Sequence, residues 1–179
     1  NQGITGTELG KVSKHGTTVI YTNAGTNLQK SSFITEPSRG AQFMGNPSAI
    51  SFSRERPVWA ISQDNNTGDP AGVTLWSSEL TIYGHEVKPD QSSYLGIFLN
   101  CPYSEGIETD SDYAFWTYNG NEGCIMRCHF LKPDQPGILR HQVGGIDKYP
   151  EITMAKLDKP GNIPSHLVKD QATNWLYIV

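Results

Sequence analysis

Residues 113–131 read YAFWTYNGNEGCIMRCHFL, and the class of fold turns on this stretch. Two strand-like runs, 113–118 and 124–131, flank Asn119-Gly120-Asn121-Glu122-Gly123. An Asn-Gly pair between such runs is a strong local hairpin signal. Along the second run, the two-residue period of a strand puts Cys124, Met126, Cys128 and Phe130 on one face. Ile125, Arg127, His129 and Leu131 take the other, which mixes charge with apolar groups and reads as half exposed.

Outward from the hairpin the same kind of run recurs. The pattern predicts further strands at 17–22, 32–35, 49–53, 58–62, 73–76, 80–87, 94–99, 138–143, 152–157 and 175–179. Gly, Pro, Asn, Asp and Ser clusters separate them, the spacing of a sandwich or barrel. Sustained helical periodicity with caps is missing, and only 164–172 is read as one helical turn. The expected fold is therefore all-β: an antiparallel β-sandwich or irregular β-barrel with long polar loops. A chain of 179 residues suits a single β-rich domain, 1–179. Its start, Asn1-Gln2-Gly3, without Met or signal segment, reads as excised from a longer protein.

Composition narrows function by exclusion. Charged residues make up 18%, below the roughly 25% of an average soluble protein. No run of ~18 apolar residues is present, so membrane insertion is not expected. A net charge of -4 without a basic stripe argues against nucleic acid as partner. That charge is unevenly spread. Residues 1–56 carry six basic and three acidic groups, residues 57–122 one and ten, and residues 123–179 seven and five. If the acidic middle gathers at one end of the fold, that end becomes the expected working surface.

Three motifs invite chemistry. Cys124 and Cys128 with His129 and upstream Cys101 suggest a thiolate–imidazole zinc site. Four strand positions separate the two cysteines by ~13 Å, however, and His129 points the other way. Buried free thiols are the expectation, with Cys101 able to bridge to Cys124 or Cys128 if its strand is adjacent. The segment 103–112 carries Glu105, Glu108, Asp110 and Asp112 without a basic residue and reads as an acidic loop. The alternate acids Glu108, Asp110 and Asp112 invite a calcium reading, and a solvated loop is the expected outcome. The pattern H-x-x-K-P-D-Q occurs at His85–Gln91 and His129–Gln135 and reads as two similar strand-to-turn exits. None of the five histidines sits in a nucleophile-elbow context, and Asn65-Asn66-Thr67 is a glycosylation acceptor if the chain is secreted.

Tryptophans 59, 76, 116 and 175 lie within predicted strands and are expected mostly in the core. Tyrosines near turns, beside Asn, Ser and Gly, have the composition of adaptable binding loops. On that basis the candidate ligand-binding residues are Tyr103, Glu105, Asp112, Tyr113, Asn119 and Asn121, with no catalytic residue, metal ligand or cofactor expected. The functional expectation is a non-enzymatic recognition or attachment domain, such as a viral capsid spike or fibre head, phage tail tip or adhesin. It would bind a cell-surface glycan or protein receptor as a homo-oligomer, dimer or trimer, at an extracellular or virion surface. Alternatives are a carbohydrate-binding module of a secreted enzyme, and a hydrolase whose triad or carboxylate pair only the fold reveals.

Overall fold

A computed structural model describes residues 17–36, 44, 47–63, 72–84, 93–98, 101, 103–130, 145–153, 164 and 166–179. Among them there are twelve strands and no helix: β1 (Thr17–Thr22), β2 (Lys30–Thr35), β3 (Pro47–Phe52), β4 (Val58–Gln63), β5 (Thr74–Ser77) and β6 (Tyr94–Ile97). There follow β7 (Ser104–Ser111), β8 (Ala114–Asn119), β9 (Cys124–His129), β10 (Gly145–Thr153), β11 (Leu167–Asp170) and β12 (Trp175–Ile178). Every pairing is antiparallel. One four-stranded sheet runs β3-β4-β5-β6 and another β10-β9-β8-β7, with β1–β2 and β11–β12 as separate hairpins. The all-β, antiparallel expectation is met.

The two larger sheets bury a common core. Val58, Ala60 and Leu75 from one sheet meet Phe115, Met126 and Phe130 from the other. The alternation expected along β9 is present: Cys124, Met126 and Cys128 are buried in this core, while Arg127 and His129 face outward, half-buried. One pair of sheet edges is stitched by hydroxyls. Ser51 Oγ accepts from the Thr109 amide at 2.9 Å, and Ser48 Oγ donates to the Ser104 carbonyl at 2.8 Å. Ser104 Oγ in turn donates to the Gln63 carbonyl and accepts from the Gln63 amide. Serines thus supply the bonds that a backbone ladder between β3 and β7 would otherwise make, consistent with the rule that buried polar groups find partners.

The outer face of β3-β4-β5-β6 carries a cross-strand aromatic row. Phe52, Trp59, Trp76 and Tyr94 are in register. Their ring centroids lie 6.0, 6.0 and 5.6 Å apart in succession. Tyr83 sets its ring edge-on to Trp59 at 5.2 Å. The expected strand at 80–87 is a turn where it is described, residues 80–84, because Tyr83 folds down onto this row instead of extending. Residues 85–87 lie outside the described residues, as do the 138–143 run, 154–157, both Pro-Asp turns of the repeat and the glycosylation acceptor.

Two further expectations are corrected. The acidic segment 103–112 is mostly strand β7, not a loop. Its Ser104, Gly106, Ile107 and Thr109 are buried while Glu105, Glu108 and Asp110 are half-buried on the other face. The segment 164–172 contains β11 rather than a helical turn, because Leu167 and Lys169 face the body and pair through β12. The hairpin of 113–131 is where it was expected. Its connection spans 120–123, closed by the Gly123 amide on the Asn119 carbonyl at 2.7 Å.

Candidate functional site

The six sequence-predicted residues fall into two groups at opposite ends of β7. Eight strand residues at ~3.3 Å each separate them by about 25 Å, so no single small ligand spans both. At one end sit Tyr103, Asn119 and Asn121. Tyr103 has a left-handed backbone, φ 50°. Gly120 approaches it so closely that a Cβ there would lie 2.8 Å from the Tyr103 Cβ and carbonyl oxygen. Asn119 is fully buried; its Oδ1 accepts from the amides of Asn121 and Glu122 at 3.0 and 3.1 Å, and its Nδ2 meets Met126 Sδ. These bonds shape the turn. Asn121 and Tyr103 remain exposed, and Glu105 lies on the outer face opposite Tyr118.

At the other end, Asp112 and Tyr113 form the β7–β8 turn. Asp112 pairs with Arg56 at 2.7 Å, and its amide donates to Glu55 at 3.0 Å. The Arg56 guanidinium lies 5.7 Å from the Tyr113 ring centroid. These side chains bind the turn to the β3–β4 connection.

Between the ends, the acids that suggested calcium are each engaged by a base. Glu108 pairs with Arg54 at 3.0 Å and Asp112 with Arg56. Asp110 receives Arg127 at 2.8 Å and Lys169. Glu122 is held by Lys148 at 2.5 Å. Among the described residues no three His, Cys, Asp or Glu side chains converge as a metal would require. His129 lies 3.6 Å from Asp147, which also faces Arg127 at 3.6 Å.

Asp110 is the hub of this network. Burial alone would raise its pKa, but hydrogen bonds from Lys169 and Arg127 outweigh burial and hold the carboxyl below the usual aspartate value. The unfolded chain therefore binds more protons than the folded one as pH falls. The stabilisation is full above an ordinary aspartate pKa of ~4 and is lost as pH drops through the folded value. Asp110→Asn is expected to cost about 1–2 kcal/mol at pH 7, less than a fully buried pair because solvent reaches Arg127. It should also flatten the acid limb of stability against pH. Urea titrations between pH 3 and 7 check both; an unchanged acid limb would count against the assignment.

One exposed apolar face among the described residues was not singled out in the sequence. On the β11–β12 hairpin, Leu167, Leu176 and Ile178 pack on Trp116, Tyr118 and Ile125 of the second sheet. Val168, Trp175, Tyr177 and Val179 turn the opposite way into solvent, with Trp175 64% and Val179 82% exposed. Trp175 and Tyr177 have ring centroids 6.4 Å apart and tilted by 51°. Of the four tryptophans, Trp59 and Trp76 are buried as expected, Trp116 is half-buried, and Trp175 is not a core residue. The available signal was a five-residue run apolar on both faces, of which the described residues cover one.

Compared with known proteins, the chain matches no family model, and neither a curated protein nor a solved structure matches it significantly.

Proposed function

We propose that this domain is a non-enzymatic recognition and attachment module. It binds a cell-surface glycan or protein receptor, acts at an extracellular or virion surface and works as a homo-oligomer. The observation that supports this most is the outward face of the β11–β12 hairpin, an apolar surface with Trp175 and Tyr177 at its centre. A tryptophan 64% exposed on a regular strand adds nothing to the core, while Trp and Tyr are the side chains on which binding energy concentrates. The hairpin's other face is anchored by Leu167, Leu176 and Ile178, so the aromatic pair is held on a rigid support, which limits the entropy lost on binding. A rigid scaffold that displays its binding residues is the usual division of labour in binding proteins. Tyr103 and Asn121 form a smaller exposed zone at one end of β7.

The test is a glycan-array and cell-binding screen of the unmodified chain beside Trp175→Ala and Tyr177→Ala, with mass measured by light scattering. Trp175→Ala should weaken binding by roughly tenfold or more and shift the thermal midpoint by no more than ~2 °C. A chain that binds neither glycans nor cells, or a Trp175→Ala variant that binds as well as the parent, overturns the reading. A monomer at micromolar concentration removes its oligomeric part.

A further inference from the structure

We infer that the outward face of the β11–β12 hairpin binds an uncharged oligosaccharide. Trp175 and Tyr177 are its stacking rings, and the Asp170 carboxylate is its acceptor of sugar hydroxyls. The inference rests on the attachment reading of this face and names its ligand. Directly opposed residues of an antiparallel pair put their side chains on the same face. The register sets Asp170 opposite Trp175 and Val168 opposite Tyr177. His166 and Val179 continue the ladder, exchanging amide-to-carbonyl bonds at 3.2 and 3.0 Å. The face is thus a strip two strands wide, with polar His166 and Asp170 at its ends and apolar groups between them. Asp170 is held in place: its Oδ1 accepts the Ala172 amide at 2.9 Å and its Oδ2 the Thr173 hydroxyl at 2.6 Å. The Thr173 bond, and then the Ala172 bond, keep the carboxyl below the usual aspartate value. It is therefore anionic at neutral pH, and each oxygen keeps a second acceptor position.

Size argues for a small ligand over a protein. A fully covered Trp or Tyr removes about 150–250 Å² from water, so with the two valines the strip offers on the order of 500 Å². That falls short of the ~800 Å² each partner gives to a standard protein interface. Chemistry then argues for a sugar over a purely apolar molecule, which would desolvate Asp170 without replacing its hydrogen bonds to water. A pyranose carries both parts that the strip can use. Its C–H face is slightly positive and is drawn to the negative face of an aromatic ring. Its rim hydroxyls donate to the fixed carboxylate in charge-assisted bonds. The two rings, 6.4 Å apart and tilted by 51°, present separate planes, which suits successive units of a twisted chain. Charge sets the specificity. A carboxylate or sulfate on the sugar would lie near Asp170 and be repelled, so sialylated and sulfated glycans are excluded.

The full chain is titrated with lactose, maltotriose and chitotriose, and with 3′-sialyllactose and lactose 3′-sulfate. Binding is read from the Trp175 indole resonance, assigned by its loss in Trp175→Phe. At least one neutral sugar is expected to bind with a Kd of about 1 mM or tighter and to move that resonance. The two anionic sugars should bind at least tenfold more weakly than lactose, an estimate for one close like-charge contact. Asp170→Asn should weaken neutral-sugar binding by about tenfold and narrow the gap between lactose and 3′-sialyllactose. If that variant fails to fold, the comparison of the two sugars on the parent chain decides. Cells treated with periodate, which cleaves the vicinal diols of glycans, should lose attachment. Silence from all three neutral sugars, preference for the anionic ones, or neutral binding unchanged in Asp170→Asn overturns the inference. Attachment that survives periodate yet falls in Trp175→Ala overturns the sugar assignment while the attachment function stands. A parent chain that binds no sugar and no cell overturns both.

Discussion

Replacing Glu36 by alanine is expected to lower stability by about 3–4 kcal/mol, near the cost of breaking a buried charged network. The thermal midpoint should fall by ~10 °C. Glu36 is only 2% exposed and follows directly on β2. Its Oε1 accepts the Gly84 amide and the Ser93 hydroxyl, both at 2.6 Å, and its Oε2 accepts the Ser93 amide at 3.1 Å. One carboxylate thus joins the end of the β1–β2 hairpin, the turn that carries Tyr83, and the start of β6. Truncation leaves two amides and a hydroxyl without acceptors in a dry site, each worth ~1–3 kcal/mol before relaxation and water entry reduce the sum. Gly84 allows the approach. It sits at φ +74°, and a Cβ there would fall 1.9 Å from Ile34 Cγ2.

The consequence is localised. A two-stranded hairpin is at best marginally stable alone in water, and most of β1–β2 beyond its base is exposed. Among the described residues its attachment includes Glu36, Ile34 over the aromatic row, and the hydrogen bond between Thr18 Oγ1 and Tyr83 OH. In Glu36→Ala, amide exchange should accelerate across β1 and β2 well before it does in β8 and β9. Glu36→Gln should fall between the two, since it keeps one acceptor but turns an NH2 donor toward groups that are themselves donors. Denaturant melts with hydrogen exchange check this. A loss under 1 kcal/mol, or exchange that rises evenly over the molecule, would remove Glu36 from this role.

Where the sequence was legible, two-residue periodicity coincided with burial on one face. Strand β1 falls where it was expected, and β4, β8 and β9 differ only at their ends, because turn residues and alternating apolar positions agree there. The misreadings share a cause. Strand β7 carries acids on its outer positions and glycine, serine and threonine among its inner ones. It therefore lacks the apolar signal, and its stability comes from tertiary bonds such as Ser51 to the Thr109 amide. Strand β11 is four residues long and exists only beside β12. The acidic middle of the chain shows the same dependence. Its carboxylates at Glu108, Asp110, Asp112 and Glu122 are matched by Arg54 and Arg56 from before it and by Arg127, Lys148 and Lys169 from after it. These four carboxylates of the acidic middle are thus paired across the fold, where they hold strands in place. No local window contains that information, because each partner lies tens of residues away.

The tryptophans separate core from surface in a single experiment. Trp76→Ala is expected to cost about 3–5 kcal/mol, the range for deleting a large buried aromatic side chain, and to lower the thermal midpoint by ~10 °C or more. Trp76 is fully buried at the middle of the aromatic row, between Trp59 and Tyr94, and its indole N–H donates to Thr74 Oγ1 at 2.9 Å. Truncation empties the centre of the row, and neighbours fixed on paired strands cannot collapse into the space. Trp76→Phe retains a ring there and should cost about 1–2 kcal/mol. Because the Trp59 and Trp76 rings are stacked 6.0 Å apart, they couple electronically. Circular dichroism of the native protein should show a couplet that disappears in Trp76→Phe and Trp59→Phe alike. The same couplet should persist in Trp175→Ala, whose stability should stay within ~0.5 kcal/mol of the parent. A Trp76→Ala variant within 2 kcal/mol of the parent, or a couplet that survives Trp76→Phe, would contradict the row as the support of the first sheet. The paired outcome matters for function: if Trp175 can be removed without loss of stability or couplet, any loss of binding in that variant belongs to the exposed face itself.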